Sequence, residues 1–162
     1  MTATAAMFTS HIAEFVAELS QVQDRLLQVL RRKRQLIVEG EAAEIRELEE
    51  EEKAVGLELA ACHERRQALL AEAAAAGLPG ESLQELAQAL PEGEQLEPQL
   101  HAAGAAMRLL QHESLTNWVL AQQAFLHLSQ LLEIVATGGR KKPTYSKCDA
   151  AAGRGALVDR AV

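Results

Sequence analysis

The stretch FTSHIAEFVAELSQVQDRLLQVLRRKRQLIVEG, residues 8–40, decides the fold. Its seam residues recur at alternating spacings of four and three, which is a heptad pattern sustained over four repeats. The seam consists of Phe8, Ile12, Phe15, Leu19, Val22, Leu26, Val29, Lys33 and Leu36. Gly40 then supplies a residue that can close a helix in the left-handed conformation. The pattern predicts one long helix that ends at a turn.

The following stretch, residues 41–76, repeats this spacing in a shifted phase. Because one uninterrupted helix would keep its phase, we expect a turn at Gly40 and two antiparallel helices. Folding the chain there pairs positions whose numbers sum to about 81. This pairing brings Lys33 within one layer of Glu52, so we expect an ion pair between them.

The basic run at residues 31–34 has two interpretations. Clustered arginine and lysine can form a nucleic-acid patch. The hairpin, however, places the run beside the acidic residues 47–52, and we favour mutual neutralisation. Of the net charge of −7, residues 137–162 contribute six basic and two acidic side chains, which leaves −11 on the rest. Since this acidic remainder, residues 1–136, would repel phosphates, we expect no nucleic-acid partner.

Glycine and proline are dense from Gly77 to Pro98, which leaves room for one short helix with a possible capping box at Ser82 and Glu85. The last heptad stripe then continues to Thr137 without a change of phase. The sequence predicts an all-α fold, an elongated antiparallel helical bundle or coiled coil. Its three long helices and one short helix are expected at about 8–38, 41–76, 97–136 and 82–90.

These helices are predicted to form one domain over residues 1–137, followed by a flexible basic tail over 138–162. No signal peptide is recognisable, and no stretch approaches about 18 uninterrupted apolar residues, so we expect no membrane insertion. Cys62 and Cys148 suggest no disulfide framework. A cytoplasmic location is the expectation.

Catalytic and metal-binding patterns are not recognisable. Di-iron helical bundles need a glutamate three residues before a histidine, and none of the five histidines has one. The sequence also contains no glycine-rich phosphate loop, GxSxG or CxxC motif. We therefore predict a protein that is not an enzyme and has no cofactor and no metal site.

The centre of the last stripe is small or polar, with Ser114, Asn117, Ala121 and Ala124. A polar residue at a seam position can fix helix register, and physical reasoning favours this interpretation for Asn117. Alternatively, the small residues leave a shallow groove for the amphipathic helix of a partner.

Three motifs carry a resemblance: CHERRQALL at 62–70, LTNWVLAQQAFLHLSQLL at 115–132 and PTYSKCDAAAG at 143–153. In this order, on heptad helices separated by a glycine break, they resemble the FlgN-type flagellar export chaperones over about residues 8–155. The resemblance implies a chaperone that binds the C-terminal helical segments of hook–filament junction proteins. It would prevent their premature assembly and deliver them to the cytoplasmic domain of the export gate.

The resemblance also implies site residues. The cargo-binding surface of the family would fall on Asn117, Leu120, Ala121, Ala124, Leu128 and Leu131. The gate-docking tyrosine of the family corresponds to Tyr145, although Ser146 stands where the family has glycine, so the docking turn is expected to differ. The alternative function is a structural coiled-coil scaffold or adaptor, which would self-associate through the same seams.

Overall fold

The computed structural model describes residues 2–138 of the chain. Every regular element in that range is helical, which confirms the all-α prediction. The elements are α1 (Thr2–Glu39), α2 (Ala42–Ala75), α3 (Leu83–Gln88), a 3-10 turn (Gly93–Gln95) and α4 (Glu97–Thr137). Helix α1 begins earlier than the seam indicated, because the alanine-rich residues before Phe8 favour helix.

The chain divides into two compact units, with the boundary between Gln122 and Gln123. Unit 1 holds α1, α2, α3 and the first part of α4, and the described part of unit 2 is the remainder of α4. The single helical domain over 1–137 stays a prediction. The basic tail from residue 139 onward lies outside the described residues.

Gly40 makes the turn between α1 and α2. Its φ is +79°, and its N–H donates to the Leu36 carbonyl at 2.9 Å, as does the N–H of Glu41 at 3.1 Å. An L side chain is strained at this φ, whereas glycine adopts it freely. The predicted left-handed closure of α1 is therefore confirmed.

Ion pairs align the two helices of the hairpin. Lys33 Nζ lies 2.5 Å from Glu52 Oε2, which confirms the predicted pair. Arg25 contacts Glu58 at 2.6 Å. Their residue numbers sum to 83, close to the sum of about 81 that the predicted hairpin register requires. Since the four side chains are partly exposed, each pair contributes little stability, and the alignment rests mainly on the seam.

The core of unit 1 lies where α1, α2 and α3 meet. The largest fully buried side chains are Phe15, Ile12, Leu36, Leu86, Val16 and Val55. Ser82 caps α3, because its side-chain oxygen accepts the Glu85 N–H at 3.1 Å. Helix α4 adds only Ala103 and Leu110 to the buried apolar residues. Its position must therefore depend on other contacts as well.

Candidate functional site

Two buried side-chain amides join α4 to α1. Gln23 Nε2 donates to the Ala103 carbonyl at 3.1 Å, and Asn117 Nδ2 donates to the Leu30 carbonyl at 2.7 Å. Asn117 is only 4% exposed. Because both partner numbers rise together, α1 and α4 run parallel over this region, with an offset of 80 to 87 positions. The amide of Asn117 thus fixes helix register, as its seam position indicated.

Glu113 is the third buried polar residue and is 6% exposed. Its Oε2 lies 2.7 Å from Arg34 NH1, and its Oε1 lies 4.0 Å from Arg31 Nε. A carboxylate at this depth is stable only when it is paired, so the two arginines make its burial possible. The pairs add a third polar connection between α1 and α4.

The predicted neutralisation of residues 31–34 by residues 47–52 is wrong for the three arginines of this run and is confirmed for Lys33 alone. Lys33 does contact Glu52, but Arg32 contacts Glu44, and the other two face α4. Successive helical residues point about 100° apart, so four consecutive side chains cannot all face one neighbouring helix.

The buried face of α4 also differs from the predicted stripe. Ser114 is exposed, whereas the neighbouring Glu113 is buried. A heptad template assumes 3.5 residues per turn, and a straight helix of 3.6 drifts by about 20° per heptad relative to it. The template therefore placed the buried position between Leu110 and Asn117 one residue too late.

The predicted cargo-binding residues have different environments. Asn117 is buried and hydrogen-bonded to α1, and Leu120 is half-buried. Ala121, Ala124, Leu128 and Leu131 are exposed, with Leu128 at 56%. Tyr145 lies outside the described residues.

All side chains from 121 to 138 are exposed, although many are large and apolar. Successive residues of a helix point about 100° apart. Six of the apolar side chains in unit 2 therefore lie on one side of its helix, within an arc of about 120° around the helix axis that runs from Leu131 through Leu128 to Phe125. We name this surface the α4 apolar face; it consists of Ala124, Phe125, Leu128, Leu131, Leu132 and Val135. Sequence reasoning missed Phe125 and Leu132, because they lie beside the heptad stripe. Their own seven-residue spacing was the available signal.

Within unit 2, the side chains of the α4 apolar face are therefore all exposed. Contiguous exposed apolar side chains of this kind usually mark an interaction site.

By length and composition, one stretch of the described residues, Gly93–Thr137, could also cross a membrane. Its most apolar window has a mean hydropathy of 1.2. This signal is weak, because Gln122, Gln123, Gln130 and Glu133 interrupt the apolar residues.

Within unit 1, residues of α1, α2 and α4 enclose an open groove of about 650 Å³. Leu26, Leu30, Leu59 and Leu110 line it, with Gly56, Met107 and Trp118 among the remaining residues. The indole of Trp118 is largely exposed. Unit 1 therefore offers a second apolar opening that its own helices do not fill.

The family model described as FlgN protein matches residues 7–151, which is most of the chain. The chain belongs to the FlgN family. This family consists of flagellar export chaperones, so the resemblance carried by the three sequence motifs is confirmed at that level. No curated protein and no solved structure matches the chain.

The part of this FlgN-family chain that the structure describes contains no group of three or more His, Cys, Asp or Glu residues able to hold a metal ion. Cys62 is buried, and burial, followed by the nearby charge of Glu18, raises the pKa of its thiol. A thiol with a raised pKa is a poor nucleophile at neutral pH.

Proposed function

We propose that the chain binds the C-terminal helical segments of hook–filament junction proteins through the α4 apolar face. Binding would keep these segments from assembling early, and the chain would deliver them to the cytoplasmic domain of the export gate. The observation that carries the proposal is the α4 apolar face itself, which no part of the described structure covers.

The chemistry of this surface suits a helical client. An amphipathic helix that has not yet polymerised exposes its own apolar side chains to water, and two such surfaces gain free energy by covering each other. Segment 123–137 contains one acidic residue, Glu133, and no lysine or arginine. Protection of the client needs only this burial, so the proposal requires no cofactor, no metal and no nucleotide.

The test uses the double variant Ala124→Glu, Leu128→Glu and measures binding of a junction-protein C-terminal peptide by calorimetry. The affinity should fall at least about 100-fold, because a buried unpaired carboxylate costs several kcal/mol. Leu126→Glu is the matched control, since residue 126 lies on the other side of the helix, about 160° from Leu128. Unchanged affinity of the double variant, with helicity intact, would remove the face from client binding.

Delivery to the gate is proposed on the family membership and on the match of Tyr145 to the family motif. Tyr145→Ala should preserve client affinity and weaken binding to the isolated cytoplasmic domain of the gate, while Tyr145→Phe should retain most of it. A single aromatic anchor can dominate a small interface, which is why one residue suffices for the test. Equal gate affinity of the parent chain and Tyr145→Ala would contradict the docking role.

The alternative, a cytoplasmic coiled-coil scaffold, would place a second copy of the chain on the same exposed face. Sedimentation equilibrium over a concentration series separates the two functions. A chain that remains monomeric without client and forms a defined complex with it favours the chaperone, whereas a tight dimer that excludes client favours the scaffold.

A further inference from the structure

The α4 apolar face is wider than one partner helix can cover. A two-stranded coiled coil uses a narrow seam of two rows, whereas a helix that packs against several neighbours has an apolar stripe at least about 100° wide. The face has three rows along unit 2's helix. One row holds Ala124 and Leu131, the central row Leu128 and Val135, and the third row Phe125 and Leu132.

The first part of α4 shows how the chain itself covers such a face. There Ala103, with the half-buried Leu100, joins a core cluster that includes Phe15 and Val16 of α1 and Leu86 of α3. Residues of two other helices therefore belong to the apolar cluster that buries Ala103.

We infer that the client presents two helices to the α4 apolar face, side by side, one against each outer row and both against the central row. This inference rests on the proposed function, whose client is helical. The partner is thus a pair of amphipathic helices, or a helical hairpin, and a single helix would leave an outer row in water.

The polar residues of unit 2's helix limit what else can occupy the face. His127 and Ser129 flank it, at about 100° from Leu128, whereas Gln123, Gln130 and Glu133 lie on the opposite side of the helix, so no acidic, lysine or arginine side chain borders the face. A neutral surface gives an affinity that depends little on ionic strength, whereas binding of a polyanion or an acidic lipid surface falls steeply with salt. We expect client affinity to change less than about threefold between low and high salt.

The experiment measures stoichiometry with the full chain by calorimetry and by sedimentation. The first probe is a synthetic junction-protein C-terminal peptide of about 20 residues, which spans about 30 Å as a helix. The second probe is a tandem of two copies joined by a short Gly/Ser linker, which favours an antiparallel hairpin. The single peptide should bind two to one and the tandem one to one, with at least about tenfold higher affinity for the tandem because the second helix binds intramolecularly.

A row-specific variant sharpens the test. Phe125→Gln with Leu132→Gln removes one outer row and should reduce the stoichiometry of the single peptide from two to one. Leu126→Gln, on the opposite side of the helix, is the control and should leave two peptides bound. Because these side chains are exposed, the variants should retain parent helicity by circular dichroism.

The outcomes are distinguishable. A one-to-one complex with the single peptide, unaffected by loss of the Phe125 row, overturns this inference and leaves the proposed function standing. No binding of either probe overturns the proposed function and this inference with it. A tight dimer of the chain that neither probe displaces assigns the face to a second copy, and steep salt dependence assigns it to a charged partner; both overturn the inference.

Discussion

Helix α4 contains two regions with different environments. Residues 97–120 are held by α1 through two buried amide hydrogen bonds and a buried carboxylate, with few large apolar contacts. From residue 121 the helix exposes every side chain, including its largest apolar ones. The chain therefore uses polar contacts, which are directional, to fix α4, and leaves apolar area, which is less selective, for a partner.

The largest expected effect comes from removing the two arginines that pair with Glu113 in the first region. Arg31→Ala with Arg34→Ala leaves Glu113 buried without a cation, and removal of the partners of a buried charge costs about 3 kcal/mol or more. Urea unfolding followed by circular dichroism measures the loss. Adding Glu113→Leu to the double variant should restore much of it, because the unpaired charge is gone. Equal stability of the double and triple variants would show that the carboxylate is solvated.

The second prediction compares one substitution in the two regions. Leu110→Ala should destabilise the chain by about 2–3 kcal/mol, at the lower end for a buried leucine because the site borders an open groove. Leu128→Ala should change the free energy of unfolding by less than about 0.5 kcal/mol, since its side chain is 56% exposed. Thermal or urea unfolding of the two variants in parallel measures both. A matching loss in the two would mean that the second region packs against the chain.

Much of the hairpin could be predicted from the sequence because its determinants are local or pairwise. A glycine between two phases of one heptad pattern predicts a turn, and the turn alone fixes which residues pair, including Lys33 with Glu52. The burial of Glu113 could not be predicted in this way. It depends on two arginines about 80 positions away, and nothing in the spacing of α4 shows where they lie.

The residues of the α4 apolar face could be predicted only in part, for a related reason. The last heptad stripe, continued from Ala121 and Ala124 at the same spacings, includes Leu128 and Leu131, and both are exposed. The same template excluded Phe125 and Leu132, because two seam rows describe a coiled coil and the actual face has three. Asn117 shows why the stripe and the cargo-binding surface differ, since this polar residue bonds to α1, as the register interpretation expected, although the resemblance also placed it on the cargo-binding surface.

The third prediction concerns that asparagine. Asn117→Ala removes the hydrogen bond to the Leu30 carbonyl and leaves this buried acceptor without that donor, which should cost about 1–2 kcal/mol. Hydrogen exchange should show faster opening in the first region of α4 and no change in the α1–α2 hairpin. Asn117→Asp keeps the size, loses the donor and places a carboxylate against the Leu30 carbonyl, so it should open this region faster than Asn117→Ala does. Parent-like exchange in both variants would indicate that register is held without Asn117.

The smallest expected effect tests the space beside the first region. Gly56 lies within α2, lines the groove toward α4, and a Cβ built there would meet no atom within 4 Å. Since glycine inside a helix costs about 0.5–1 kcal/mol relative to alanine, Gly56→Ala should stabilise the chain by that amount in urea unfolding. Gly93→Ala is the contrasting control, because its Cβ would overlap the Ala87 carbonyl oxygen. If Gly56→Ala destabilised the chain, α2 and α4 would be in closer contact than the groove allows, and the first region would owe more of its position to packing than to its polar contacts.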